Sequence, residues 1–81
     1  MKEKEFYNQK EAISKDIDCI YNLKWTTIKW KDGIGIIFKS IHVGNKLDDK
    51  QLEGLLNLMN YGFEKLYIQL DEEEEIIAKM W

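Results

Sequence analysis

Side chains that could act as a nucleophile with its base are scarce in this chain: His42 is the sole histidine, Cys19 the sole cysteine, and Ser14 and Ser40 the only serines. No Ser, His and Asp arrangement can be built from so few groups. His42 lies in the stretch HVGNK, near the end of an expected strand and just before a capped helix, which is where open α/β sheets often bind ligands. Gly44 would let a backbone approach a ligand there, but Asp48 and Asp49 place negative charge at the helix N-terminus, where an anion would have to sit. A metal centre using His42, Asp48 and Asp49 would need a further ligand that no spacing supplies. Cys19 follows the acidic Asp18, and its position near an apolar stripe predicts packing rather than reactivity. A small enzyme around His42 is therefore the least supported function class, and neither a metal nor another cofactor is implied.

Groups suited to binding are better represented. The segment WTTIKWKDGIGIIFKS, residues 25–40, reads as a β-hairpin with apolar residues left over on both faces. A two-residue Asp32-Gly33 turn would mix lysine into every apolar row, whereas a three-residue loop with Gly33 in a left-handed bulge sets Trp30 opposite Ile34, Ile28 opposite Ile36 and Thr26 opposite Phe38. That register predicts Trp30 as a packing residue. It leaves Trp25, Lys29, Ile37, Lys39 and Ile41 on the second face, available to a partner unless the first helix covers them. The acidic run Glu72, Glu73, Glu74 and Glu75 is either a solvated first helical turn or an epitope that mimics a phosphate backbone. Trp81 either folds back or anchors a partner.

The elements that must position these groups follow from periodicity. Phe6, Ile13, Ile17 and Ile20 recur at spacings of seven, four and three, predicting a helix over 4–21 that Asn22 can stop. A second helix over about 49–60 has Asp48 as cap, Gln51 closing a capping box, Leu47 and Leu52 as a hydrophobic staple, and Gly62 as its left-handed C′ residue. Leu52, Leu55, Leu56 and Met59 are its expected buried face, with Gly54 tolerated if it permits close packing. KLYIQL, residues 65–70, alternates as a half-buried strand, and a strand-helix-strand order implies a parallel pair in a mixed sheet. DEEEEIIAKMW fits a helix capped by Asp71 better than a strand, although as a strand it would align Ile76, Ala78 and Met80.

Composition bounds the rest. Eighty-one residues, 44% hydrophobic and 33% charged, make one α+β domain spanning 1–81: helix, hairpin, helix, strand, then a short helix or strand, with at least three strands packed against helices. No apolar stretch approaches the roughly 18 residues of a membrane span and no secretory leader is evident, so a cytoplasmic protein is expected, in the host cytoplasm if the chain is viral. All twelve basic residues are lysine, which removes bidentate arginine recognition of guanine and argues against sequence-specific DNA reading. Residues 1–31 carry seven Lys against five Asp plus Glu, and residues 32–81 carry five against ten. These features predict a non-enzymatic protein-binding module, a small acidic inhibitor or adaptor of phage or mobile-element type, with a homodimer as one form of partner. The alternative is a nucleic-acid-binding module using Lys24, Trp25, Lys29, Lys31 and Lys39.

Overall fold

The computed structural model describes residues 1–40, 47–68 and 76–81, with the Ser40 side chain also left undescribed. The amphipathic stripe forms α1, Glu3–Asp18, and all four of its apolar residues, Phe6, Ile13, Ile17 and Ile20, are buried. Between Ile13 and Phe6 the stripe is polar at Gln9, whose amide is satisfied by donating to the carbonyls of Glu5 (3.1 Å) and Tyr61 (2.9 Å). The helix stops three residues short of the expected end. Cys19 and Ile20 form a turn, and Asn22 reverses the chain with φ of 60°, a left-handed conformation that asparagine tolerates better than most residues. Cys19 is exposed, contrary to its expected packing, because only its neighbour Ile20 turns inward as the helix unwinds.

The hairpin consists of β1, Leu23–Trp30, and β2, Gly33–Ser40, joined by Lys31 and Asp32 alone. This connection differs from both turns considered for the sequence. Trp30 pairs with Gly33, Lys29 with Ile34, Ile28 with Gly35, Thr27 with Ile36 and Trp25 with Phe38. Gly33 is not left-handed, since positive φ among the described residues is confined to Asn22 and Gly62. Relative to the expected bulged loop, β1 is slipped by one residue, which moves every one of its side chains to the other face. Trp30 is thus not a core residue. Its ring lies across Gly35, where a β-carbon would stand 2.8 Å from Trp30 Cη2. The backbone fixes this corner as well, because the Ile34 N–H donates to the Met1 carbonyl at 2.8 Å.

Helix α2, Asp49–Leu58, starts as its sequence dictates. Asp48 accepts from the Gln51 N–H at 2.8 Å, and the Gln51 side-chain oxygen accepts from the Asp48 N–H at 2.9 Å. Gln51 is itself buried, and its amide donates to the Tyr21 carbonyl at 2.9 Å, tying the helix start to the end of α1. A 3₁₀ turn, Met59–Tyr61, extends the helix to Gly62 at φ of 112°. The buried residues are Leu55 and Leu58, with Leu52 and Met59 half-buried. Leu56, an expected core residue, is instead 59% exposed. The inward face of α2 is centred on Gln51, Leu55 and Leu58, where the capping box aims it. Gly54 meets α1, and a β-carbon there would stand 2.7 Å from Ile20 Cγ1.

Strands β3, Leu66–Ile68, and β4, Ile76–Met80, complete a single sheet in the order β1-β2-β4-β3. Residues 76–80 are therefore a strand, not the expected helix. The caps proposed for that helix, Asp71 and Glu74, lie outside the described residues. Every ladder is antiparallel, so the expected mixed sheet with a parallel pair does not form. The crossover through α2 does return β3 in the direction of β2, but β4 enters between them. A register shift opposite Phe38 and Lys39 allows the adjacent residues Ile77 and Ala78 both to be buried, which strict alternation would forbid. Ile34, Ile36 and Phe38 of β2, with Ala78 and Met80 of β4, face both helices and form the core with Phe63.

Two outcomes test this packing. Gly35→Ala would place a methyl group 2.6 Å from the Met80 carbonyl oxygen, at the β2–β4 ladder, and is expected to lower stability by about 1 to 3 kcal/mol in urea denaturation. The Tyr61 hydroxyl donates to the Asp16 carboxylate, and that bond, with smaller burial and charge contributions, raises the phenol above its ordinary value of 10.0. A raised folded-state pKa stabilises below the unfolded value and is lost as pH climbs through the folded one. The stability difference between the parent protein and Tyr61→Phe should therefore shrink from about pH 10 upward, measured by urea unfolding across that range.

Candidate binding face of the sheet

The core uses one side of the sheet only. The buried residues of both helices share one core cluster with Ile34, Ile36 and Phe38, and no described helix is seen on the other side. Alternation along each strand, combined with the register, assigns the uncovered side chains. The rows across it are Thr26, Ile37, Lys79 and Tyr67, and then Ile28, Gly35, Trp81 and Lys65. Trp30 and Gly33 extend the second row toward the turn, and Lys24 and Lys39 flank the first at its far end. Exposure follows: Trp30 is 41%, Ile28 44% and Tyr67 50% exposed.

Local sequence accounts for the aromatic arrangement. Gly33 and Gly35 remove side chains from alternate positions of β2, and the Gly33 position is met by the Met1 backbone, its carbonyl oxygen 2.6 Å from where a β-carbon would stand. Trp30 leans over Gly35 from β1, and Trp81 approaches it from beyond β4, its β-carbon 3.0 Å from where a Gly35 β-carbon would stand. Aromatic rings that cover sheet glycines in this way restore packing that glycine lacks. Trp81 is pinned by its backbone, which accepts from the Glu64 and Lys65 N–H groups (2.8 and 3.0 Å) and donates to the Lys65 carbonyl (3.0 Å).

Among the described residues, the charge on this face is of one sign. Lys24, Lys39, Lys65 and Lys79 project from it, and no uncovered position on the described strand residues is Asp or Glu. The nearest carboxylates in sequence among the described residues are Asp32 in the turn and Glu64 before β3, at its rim. On the helical side, by contrast, α1 and the start of α2 carry both signs, Glu3, Glu5, Glu11, Asp16, Asp18, Asp48, Asp49 and Glu53 against Lys4, Lys10, Lys15 and Lys50.

The groups proposed from sequence are divided by the observed register. Ile37, Lys39 and Trp81 do lie on the uncovered side, as does Lys24. Trp25 does not: it is half-buried on the helical side, packed against the core. Lys29 lies on that side too, at its rim, where its ammonium is 5.5 Å from the centre of the Tyr7 ring and 3.9 Å from Glu3 Oε1. The hydrogen bond with Tyr7, then the Glu3 carboxylate, hold the Lys29 pKa above its ordinary 10.5. Lys31 is in the turn. His42, Ile41, and Glu72 to Glu75 lie outside the described residues. Among the described residues, no three His, Cys, Asp or Glu side chains gather as a metal site would require.

Ile28, Trp30, Tyr67, Lys65 and Lys79 join this face without having been expected there. The alternation of Gly33 and Gly35 is the signal that points to them, since two glycines on one strand face make room for a large ring from a neighbouring strand. Comparison with models of known protein families, with curated proteins and with solved structures returned no match to this chain. No helix among the described residues is long and apolar enough to cross a membrane.

The division of the tryptophans is measurable. Trp30→Phe should remove more of the acrylamide-quenchable fluorescence than Trp25→Phe, and Trp25→Ala should cost about 2 kcal/mol or more through lost packing.

Proposed function

We propose that this protein is a non-enzymatic binding module whose working surface is the uncovered face of the sheet. One observation carries the reading: three aromatic residues and two isoleucines, Trp30, Tyr67, Trp81, Ile28 and Ile37, are brought to one side of a four-stranded sheet whose two helices both pack on the other. A continuous apolar patch rimmed by polar groups is the usual mark of an interaction site. A rigid sheet also holds such groups at fixed spacing, so little ordering entropy opposes association. The role resembles that of an adaptor or inhibitor, which acts by covering part of a larger molecule rather than by turning over a substrate.

Photocrosslinking tests this without the partner having to be identified first. With benzoylphenylalanine incorporated at position 28, irradiation of producing cells should yield a discrete adduct. The same group at position 56, exposed on α2, should not. Equal labelling from both positions, or none from position 28, overturns the assignment of the face.

A further inference from the structure

From the charge and aromatic content of the same face, we infer that its ligand is a single-stranded nucleic acid, bound without strong sequence preference; this rests on the reading of the uncovered sheet as the working surface. Three strand lysines, Lys24, Lys39 and Lys79, with Lys65 just before β3, and no carboxylate at a described uncovered strand position make the described part of this face basic in a chain whose formal net charge is −3. Among the described residues the helix layer carries both signs with acid in excess while the sheet face carries lysine, so a polyanion is drawn toward the sheet face. The lysines also discriminate between partner classes. Lysine is depleted in protein–protein interfaces, whereas lysine interleaved with exposed aromatic rings is what single strands use, phosphates meeting ammonium groups while bases stack on rings.

Geometry favours a single strand over a duplex. Neighbouring strands lie about 4.8 Å apart, so the outer two of four are separated by about 14 Å, too broad a surface for a minor groove of about 6 Å or a major groove of about 12 Å. Unstacked bases, by contrast, can lie on Trp30, Trp81 and Tyr67 as their backbone passes Lys39, Lys79 and Lys65. The row Ile37, Lys79 and Tyr67 sets a cationic group between an apolar and an aromatic one across three adjacent strands, so that a phosphate contact and stacking surfaces lie side by side. The absence of arginine withholds bidentate base recognition, which accounts for the lack of sequence preference.

The experiment is an anisotropy titration of labelled 15-mers of deoxythymidine and of uridine with the full chain, at 50 and 200 mM NaCl. With four phosphates neutralised the log–log salt slope should be about −2.8, weakening binding about fifty-fold between the two salts. Trp30→Ala should weaken binding by about tenfold or more while Trp30→Phe retains most of it. Lys39→Gln and Lys79→Gln should each reduce the slope by about 0.7, and Leu56→Ala should change nothing. Far-UV circular dichroism identifies any variant that has lost its fold, and the lysine substitutions keep the test decisive if Trp30→Ala has. No binding at 50 mM salt, equal affinity for a duplex of the same length, or indifference to Trp30 and the lysines overturns the inference. Nucleic-acid adducts from position 28 support it. Adducts from position 28 that contain only protein defeat it and leave the face a contact surface, whereas an absence of adducts defeats the broader reading.

Discussion

Strand β4 is bonded along both edges, to β2 on one side and β3 on the other, and that double pairing joins segments that are far apart in the chain into one sheet. It also carries the inward residues Ala78 and Met80 beneath the helices, beside Ile36 and Phe38. Without it β2 would end in an open edge and the three residues of β3 would have no ladder to join, since three-residue strands are too short to persist alone. The helices meet this layer through a small, complete set of contacts. Ile20 against Gly54, and Gln51 against the Tyr21 carbonyl, tie the turn that follows α1 to α2.

The one-sided arrangement of the helices follows from size. Two helices of 16 and 10 residues cannot cover both faces of a four-stranded sheet, and antiparallel sheets tolerate one face in water, which parallel sheets rarely do. The uncovered face must then avoid indiscriminate adhesion. Lysines at its ends and glycines beneath its rings limit the apolar area presented, a form of protection common at sheet surfaces and edges. The same lysines give the described part of the face its sign.

Much of the local structure is legible in the sequence. The inward stripe of Phe6, Ile13, Ile17 and Ile20, the capping box between Asp48 and Gln51, the left-handed Gly62 and the existence of the hairpin all follow from interactions within a few residues, whose energies depend little on what lies elsewhere. The face of the hairpin is not. In β1 apolar and polar residues occur on both sides, so hydrophobic alternation gives almost no preference between registers one residue apart. The choice falls to contacts made elsewhere: Trp30 over Gly35, Trp81 beside it, and Met1 bonded to Ile34.

Residues 76–80 show the same division more sharply. Their acidic lead-in and clustered apolar residues favour a helix in isolation, but a gap between β2 and β3 offers them backbone partners on both sides, and a bulge lets Ile77 and Ala78 be buried together. The amino-acid sequence by itself determined two helices, the capped start of the second, a hairpin and an α+β class, because caps and periodicity act over short distances. Only the tertiary structure decided which way β1 faces, where β4 inserts and thus which aromatic and basic groups meet on the uncovered sheet, because those outcomes depend on pairing between segments that local patterns leave evenly balanced.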